Sequence, residues 1–389
     1  MTVITGVEGI ALEAPLPKDM PPPISIPHAE RLSPIVFGAY RACLVRITTD
    51  DGLTGYGECM VRLAPRATVE IVNDVGRAII GMDPMDTSPA WELMFSLMMN
   101  RGHYKGFFNE AMSGIDIAMW DLKGKLLGLP VHLLLGGRQR ERIACYASSL
   151  RFRTLDYTAQ DAKSLVEEGY RGLKVKIGKD RYSIRQDVAL LKAVREAVGE
   201  EVWLAADANC GYDLPTAVEM SRVLRDLDYE WFEEPLPPDD LKGYSQLVEQ
   251  GTVPIAGGET EFTKYGFREL FQRGTLNIVQ PNVSRCGGFT EAMKVAALAE
   301  SYHIRYAPHT GSCGGITLAA EVQLSAVLPN FVTYEHMRRD WSRDHTNPFR
   351  SDLVFDAAER FRDGYIEIPP GPGLGIEIDQ SVIEKYRVL

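Results

Sequence analysis

The chain has 389 residues, 45% of them hydrophobic, and a formal net charge of −11. That length buries a large core with room for a barrel and a smaller domain, and the acidic balance argues against nucleic acid, whose phosphates need a basic face. The six cysteines (Cys43, Cys59, Cys145, Cys210, Cys286, Cys313) are scattered without a Cys-x-x-Cys pair, as in a reduced cytosolic protein rather than a disulfide framework or zinc knuckle.

The N-terminal stretch MTVITGVEGIALEAPLP has neither a basic leader nor a sustained apolar run, so a cytoplasmic protein is expected. No segment approaches the roughly 20 apolar residues of a membrane span. EAPLPKDMPPPISIPHAERLSP is too proline-rich for regular structure and reads as a long loop. RACLVRITTDDGLTGYGEC alternates as a hairpin about a Thr-Asp-Asp-Gly turn. Helical periodicity follows in TVEIVNDVGRAII, PAWELMFSLMM and AMSGIDIAMWDLKGKLLG, the last stopping at Gly128 with Pro130 beyond. Residues 1–140 therefore read as an α+β domain.

From about Arg142 strand and helix alternate. Strands are expected near IACYAS, GLKVKI, VWLAAD, YEWFEE, VPIAGG, LNIVQP, IRYAPH and FVTYEH. Helices are expected in YTAQDAKSLVEEG, SIRQDVALLKAVREAV, LPTAVEMSRVLRDL and FTEAMKVAALAESY. Short apolar strands regularly followed by helices imply right-handed βαβ units and a parallel sheet, and eight of them close into a barrel over residues 141–361. The tail DGYIEIPPGPGLGIEID, within residues 362–389, is extended and is expected to pack back on the N-terminal domain. Its glycines make no dinucleotide fingerprint, since no strand feeds them and no helix follows.

Carboxylates close three successive barrel strands: Asp207 ends EVWLAAD, Glu233 ends DYEWFE and Glu259 ends TVPIAGGE, at intervals of 26 residues. The stride continues through Asn282, His309 and Glu335. One strand, one helix and their loops consume about that length in a (β/α)8 barrel, whose strand C-termini form the active-site face. A lone carboxylate there is ordinarily a cap or a surface charge, but three at a fixed stride supply hard oxygen ligands for a divalent cation such as magnesium. Crowded carboxylates raise one another's pKa and call for such a cation. Asn209 and Glu234 lie just beyond their partners and are placed to orient water or the ligands.

Lys174 and Lys176 in LKVKIG share one face of a strand. On a surface strand the pair would be unremarkable, but Leu173, Val175 and Ile177 mark this strand as buried. A desolvated lysine beside a metal and a second lysine has a lowered pKa and can act as a general base. His309, across the mouth, is the natural second proton handler, although a histidine there is often structural. Glu335 can meet a developing oxyanion or the substrate, or form a plain salt bridge.

The segments SGIDIAMWDLKGKLLGLP with LLGG, LKVKIG, ADAN, FEEP, GGE, QPNVSRCGG, APH and DGYIEIPPGPGLGIEID resemble, in order and spacing over essentially the whole chain, the mandelate-racemase-like branch of the enolase superfamily. The resemblance implies a modified TIM barrel, (β/α)7β, under an N-terminal α+β capping domain. It implies Mg2+ held by Asp207, Glu233 and Glu259, with Lys176 abstracting the proton α to a substrate carboxylate and Lys174 neutralising that carboxylate. His309 becomes the acid or base on the opposite face, Glu335 contacts the enediolate or leaving side, and a homo-oligomer is expected. Mg2+ and Lys174 would stabilise the second negative charge that proton removal builds, and so bind the transition state best.

One departure matters: the branch usually pairs its strand-seven histidine with an aspartate at the end of strand six, and here that position is Asn282. An asparagine can accept a hydrogen bond from the imidazole but cannot stabilise imidazolium with a full charge. That favours dehydration of an acid sugar, an aldonate or aldarate, to a 2-keto-3-deoxy acid by a hydro-lyase. The alternative is a racemase or epimerase of a 2-hydroxy acid through the same enediolate. A barrel kept for binding without turnover fits less well with the intact carboxylates and lysines. A cycloisomerase of the muconate-lactonising kind is disfavoured, because no lysine stands near the end of strand six. Substrate selection is expected from loops of the capping domain, with His28, Arg31 and Arg62 placed to meet a polar or anionic end and Tyr104 and Lys105 as weaker candidates.

Overall fold

The computed structural model describes residues 2–18, 32, 35–150, 153–337, 346–355 and 360–388. The stretch expected as a Pro-rich loop is corrected at its start, where Glu13, Ala14 and Pro15 extend a strand paired to residues 39–41; residues 19–31, with His28 and Arg31, lie outside the described residues. The expected hairpin is present as β2 (Ala39–Thr49) and β3 (Thr54–Cys59). Thr49 N donates to Leu53 O (3.1 Å), and Gly52 takes a φ of +84° that a side chain would resist. A further strand, β1 (Ile4–Pro15), pairs antiparallel with β2. The sequence reading missed it because glycines at 6 and 9 and a register shift between Ile4 and Gly6 obscure the alternation.

Helices α1 (Pro65–Gly76), α2 (Thr87–Ser96) and α3 (Phe107–Leu127) complete the N-terminal domain. Its core joins Val45 and Ile47 of β2 to Trp91, Met94, Met112, Ile115 and Met119. The close approach of α3 to β3 depends on Gly57, where a Cβ would run into the Gly114 carbonyl oxygen and the Ala118 amide nitrogen. The opposite face of α3 is buried against the barrel. Ser113 Oγ accepts from Gly287 N (2.9 Å), Asp116 from Thr290 N (3.0 Å), and Trp120 Nε1 donates to Thr290 Oγ1 (2.9 Å).

The barrel strands are β4 (Arg142–Leu150), β5 (Gly172–Lys176), β6 (Trp203–Asp207), β7 (Tyr229–Glu233), β8 (Ile255–Gly257), β9 (Ile278–Val279), β10 (Arg305–Tyr306) and β11 (Tyr334–His336). They pair in parallel in chain order, and β11 returns to β4. A parallel bridge from Tyr306 to Phe331 joins β10 to the segment entering β11. The crossovers are α4 (Leu155–Glu167), α5 (Arg185–Val198), α6 (Leu214–Asp226), α7 (Leu241–Gln250), α8 (Thr263–Gln272), α9 (Gly288–Ser301) and α10 (Gly315–Ser325). Seven crossovers for eight strands give (β/α)7β. The floor of the barrel is filled by Tyr146, Trp203, Trp231 and Ile278 among small alanines, so the interior is packed rather than open.

The tail reaches both domains. Tyr365–Glu367 pairs antiparallel with the start of β4, while Leu374 N donates to Asp121 Oδ1 (2.9 Å) and Leu12 bridges Arg387 on β1. The domains are also locked by Glu58 of β3, whose buried carboxylate accepts from Gly314 N (2.6 Å) and Thr317 N (2.9 Å) at the start of α10. Among the described residues, no helix is long and apolar enough to cross a membrane.

Gly57→Ala should lower stability by about 1–3 kcal/mol, because helix and strand must separate to admit one methyl. A chemical-denaturation midpoint equal to that of the parent would refute this account of the α3–β3 contact.

Candidate active site

Successive strand ends deliver the anticipated side chains to one mouth. In-register pairing sets Lys176 beside Asp207 and Asp207 beside Glu233. Lys174, one pleat below Lys176, is completely buried, with its ammonium 2.5 Å from Glu233 Oε1, 2.8 Å from Glu335 Oε1 and 3.6 Å from Asp207 Oδ2. Burial alone would lower its pKa, but Glu233, Glu335, Tyr146 and Asp207 hold it well above the ordinary lysine value. Lys176 is more open, 14% exposed at its side chain, and its ammonium contacts Asp207 Oδ2 and donates to Asn209 Oδ1 (3.0 Å).

The carboxylates differ in character. Burial opposes the charge on Asp207, but Lys176 and Lys174 keep it well below its usual range. Glu335 is likewise held low, burial being outweighed by Lys174 and by the Ser148 hydroxyl, which donates at 2.6 Å. Thr310 N donates to its other oxygen at 2.6 Å. Glu233 goes the other way, pushed up to about 8 by burial and by the Asp207 charge. Its Oε2 accepts from Gln280 Nε2 (2.6 Å) and Trp231 Nε1 (3.2 Å). Among the described residues, no three His, Cys, Asp or Glu side chains are gathered as a metal-binding group. Asp207, Glu233 and Glu259 are instead each turned towards a basic side chain of the protein.

For Glu259 these neighbours are His309, whose Nε2 lies 3.1 Å from Oε2, and Arg62, whose Nη2 is 3.7 Å from Oε1. Burial opposes the charge on Glu259, yet His309, Arg62 and Lys176 hold its pKa below the usual range. Burial lowers the imidazole of His309 to about 4, against the pull of Glu259 and Glu335. Arg285 fixes the backbone below by donating to Glu259 O (3.0 Å) while pairing with Glu110 of α3 (2.9 Å).

Asn282 caps the single helical turn Val283–Cys286. Its Oδ1 accepts from Ser284 N (2.9 Å) and Ser284 Oγ (2.7 Å), and its Nδ2 faces His309 Nδ1 (3.2 Å) and Cys313 Sγ (3.2 Å). The expectation that this amide accepts from the imidazole is corrected here, because its oxygen is already taken by a helix-turn N–H.

The other expected residues separate. Asn209 N donates to Asp207 Oδ1 (2.9 Å), which orients that carboxylate. Glu234 is buried, its carboxyl accepting from Cys210 Sγ (3.5 Å), and burial with the Glu259, Asp207 and Glu233 charges raises its pKa far above normal. Lys105 pairs with Glu261 (2.7 Å), and Tyr104 is exposed. A small pocket between the domains, lined by Tyr40, Arg41, Arg62, Ser312 and Asn347, opens beside Arg62. Gln280, Trp231, Ser148 and Thr310 were missed. Trp231 and Gln280 sit two residues before Glu233 and Asn282, so strand alternation could have flagged them; Ser148 and Thr310 leave no such signal.

A family model described as "Enolase C-terminal domain-like" matches residues 157–382, and one described as "Mandelate racemase / muconate lactonizing enzyme, N-terminal domain" matches residues 24–136. The chain is 36% identical over 351 residues to a D-galactarolactone cycloisomerase of Agrobacterium fabrum, covering 89% of this chain and 91% of that protein. It is 32% identical over 368 residues to a D-galactonate dehydratase of Variovorax paradoxus, covering 92% of each. The crystal structure of the 3,6-anhydro-D-galactonate cycloisomerase from Zobellia galactanivorans matches over 100% of both chains, with a TM-score of 0.86 and 31% identity.

Lys174→Met should cost about 3–5 kcal/mol, since it strands buried carboxylates without their cation. In the variant those carboxyls titrate above their unfolded values, so the folded state binds protons more readily than the unfolded one. The loss should therefore be largest at about pH 8 and shrink towards about pH 5. Unfolding midpoints that fall equally at both pH values would contradict the ion-network account.

Proposed function

This chain belongs to the enolase superfamily, and from that membership we propose that it is a magnesium-dependent enzyme that performs β-elimination on an acid sugar. The observation that carries the reading is Lys176, partly open at the mouth, beside Asp207 and Asn209 in a ring that also holds Glu233, Glu259, Glu335 and His309. In this reading Lys176 takes the proton α to the substrate carboxylate. Lys174, backed by Glu233 and Glu335, stays cationic beneath the charge that develops. The electron pair left on the α-carbon forms the carbon–carbon double bond as the oxygen on the β-carbon departs, a departing hydroxyl taking its proton from His309 or from Glu335 through water, and the enol becomes a 2-keto-3-deoxy acid.

Asp207, Glu233 and Glu259 fit a hard divalent cation: they are buried oxygen donors on adjacent strand ends, and Glu233 is pushed up to about 8 by burial and by its neighbour Asp207, a charge surplus that a cation would relieve. When bound, magnesium would supply Lewis-acid stabilisation of the substrate's carboxylate oxygens. Arg62, reaching from the N-terminal domain, is placed for an anionic or hydroxylated distal end of the substrate, and His28 and Arg31 remain candidates outside the described residues.

If the departing oxygen is a free hydroxyl, water is lost and the enzyme is a dehydratase. A second reading keeps the same proton abstraction but expels a ring oxygen, which opens a lactone or anhydro ring with no atom lost; the 36% identity to a D-galactarolactone cycloisomerase favours it. Such ring opening needs no lysine at the end of strand six, unlike the muconate-lactonising chemistry set aside above.

The test is a panel of aldonates, aldarates and their lactones offered to the magnesium-loaded protein, scored for 2-keto-3-deoxy acid. A productive acid should lose about 10²–10⁴-fold in kcat with Lys176→Ala. Full turnover by that variant would overturn the assignment of the base.

A further inference from the structure

The strand-seven histidine faces, at its Nδ1, an amide whose hydrogen-bonding role is fixed independently of it. Asn282 and His309 are both buried, 1% and 4% exposed. Ser284 N belongs to the first turn of a helical segment, so it has no carbonyl one turn back to receive it. It finds Asn282 Oδ1 at 2.9 Å, and the Ser284 hydroxyl adds a second bond to the same oxygen at 2.7 Å. A carboxamide has its acceptor on one side and its donors on the other. With the oxygen committed to Ser284, the NH2 group must face His309 Nδ1 at 3.2 Å, its second hydrogen turning to the sulfurs of Cys313 (3.2 Å) and Met60 (3.8 Å).

A neutral imidazole carries one donor and one acceptor. An amide donor at Nδ1 makes that nitrogen the acceptor and leaves the hydrogen on Nε2. The opposite tautomer would set N–H against N–H where the ring meets Asn282. An aspartate at position 282 would impose the reverse, since its second oxygen would accept from Nδ1–H.

We infer that Asn282 is a positioning residue that locks His309 in the Nε2–H tautomer, so that His309 presents a hydrogen-bond donor to the barrel mouth and not a second carbon base. Its chemical consequence rests on the proposed role of Lys176 as base, whereas the tautomer itself does not. Proton removal is confined to the Lys176 face, and a substrate oxygen near strand seven that takes the place of Glu259 Oε2 beside the ring receives a hydrogen bond from Nε2. Racemisation, which needs a base on each face, is thereby disfavoured by a single amide-for-carboxylate exchange.

Long-range proton–nitrogen NMR on magnesium-loaded, 15N-histidine-labelled full-length protein reads the tautomer directly, with His309→Gln assigning the signal. The expected spectrum has a bare Nδ1 and a protonated Nε2, and Asn282→Asp should place a proton on Nδ1 while preserving the Ser284 cap. A protonated Nδ1 in the parent protein would overturn the lock, as would a folded Asn282→Asp protein whose Nδ1 stays bare. The parent spectrum decides even if the variant does not fold. In deuterium oxide, productive substrate recovered at partial turnover should show no epimer at the α-carbon; epimer formed within about tenfold of the elimination rate would also defeat the inference. If Lys176→Ala stays active while the parent spectrum is as expected, the proposed base fails and the lock stands; the reverse pattern sinks the lock alone.

Discussion

A lysine with no exposed surface cannot be left without counter-charges, and Lys174 receives them from Glu233, Glu335 and Asp207 at once. Removing any buried member uncompensates the others, because isolated charges in a low-dielectric interior cost several kcal/mol each. The network ties β5 to β6, β7 and β11, spanning the point where the barrel closes through β4. It also explains why neighbouring carboxyls behave differently. Glu335, bonded to Lys174, Ser148 and Thr310, keeps its charge, whereas Glu233 pays for its proximity to Asp207 with a raised pKa near 8.

Around that centre the N-terminal domain acts as a clamp rather than a loose lid. Glu58 caps α10 just after the loop that bears His309. Arg285 grips the backbone of Glu259 while held by Glu110 of α3, and Trp91 and Ser113 bind the Gly287 backbone next to the Asn282 turn. Each contact reaches a barrel loop rather than a reacting group, so the domain interface sets the mouth's geometry through the backbone. Arg62 is the exception, extending from the N-terminal domain to within 3.7 Å of Glu259.

Much of this was legible along the chain because barrels are periodic. A strand–helix stride of constant length puts Lys176, Asp207 and Glu233 at strand ends whatever the rest of the molecule does. Period-two alternation put Lys174 and Lys176 on one face. The strand Ile4–Pro15 escaped because glycines dilute its alternation, and the roles of Ser148 and Thr310 escaped because a hydroxyl or a backbone N–H that serves a carboxylate 187 or 25 residues away has no local signature. Glu234 was paired with the ligand cluster by adjacency alone; it lies just past the end of β7 with a positive φ, and its buried carboxyl accepts from Cys210.

By itself, then, the sequence determined the architecture, the family and the set of charged groups at the mouth, because these follow from spacing and pattern along one dimension. Only the tertiary structure decided how those groups are matched: which lysine is fully buried, which carboxyl is pushed up, and which side of the Asn282 amide His309 meets. The last was settled by a backbone N–H two residues away in sequence whose need for an acceptor exists only once the turn after β9 has formed. Residue identity names the donors and acceptors available; folding assigns their partners.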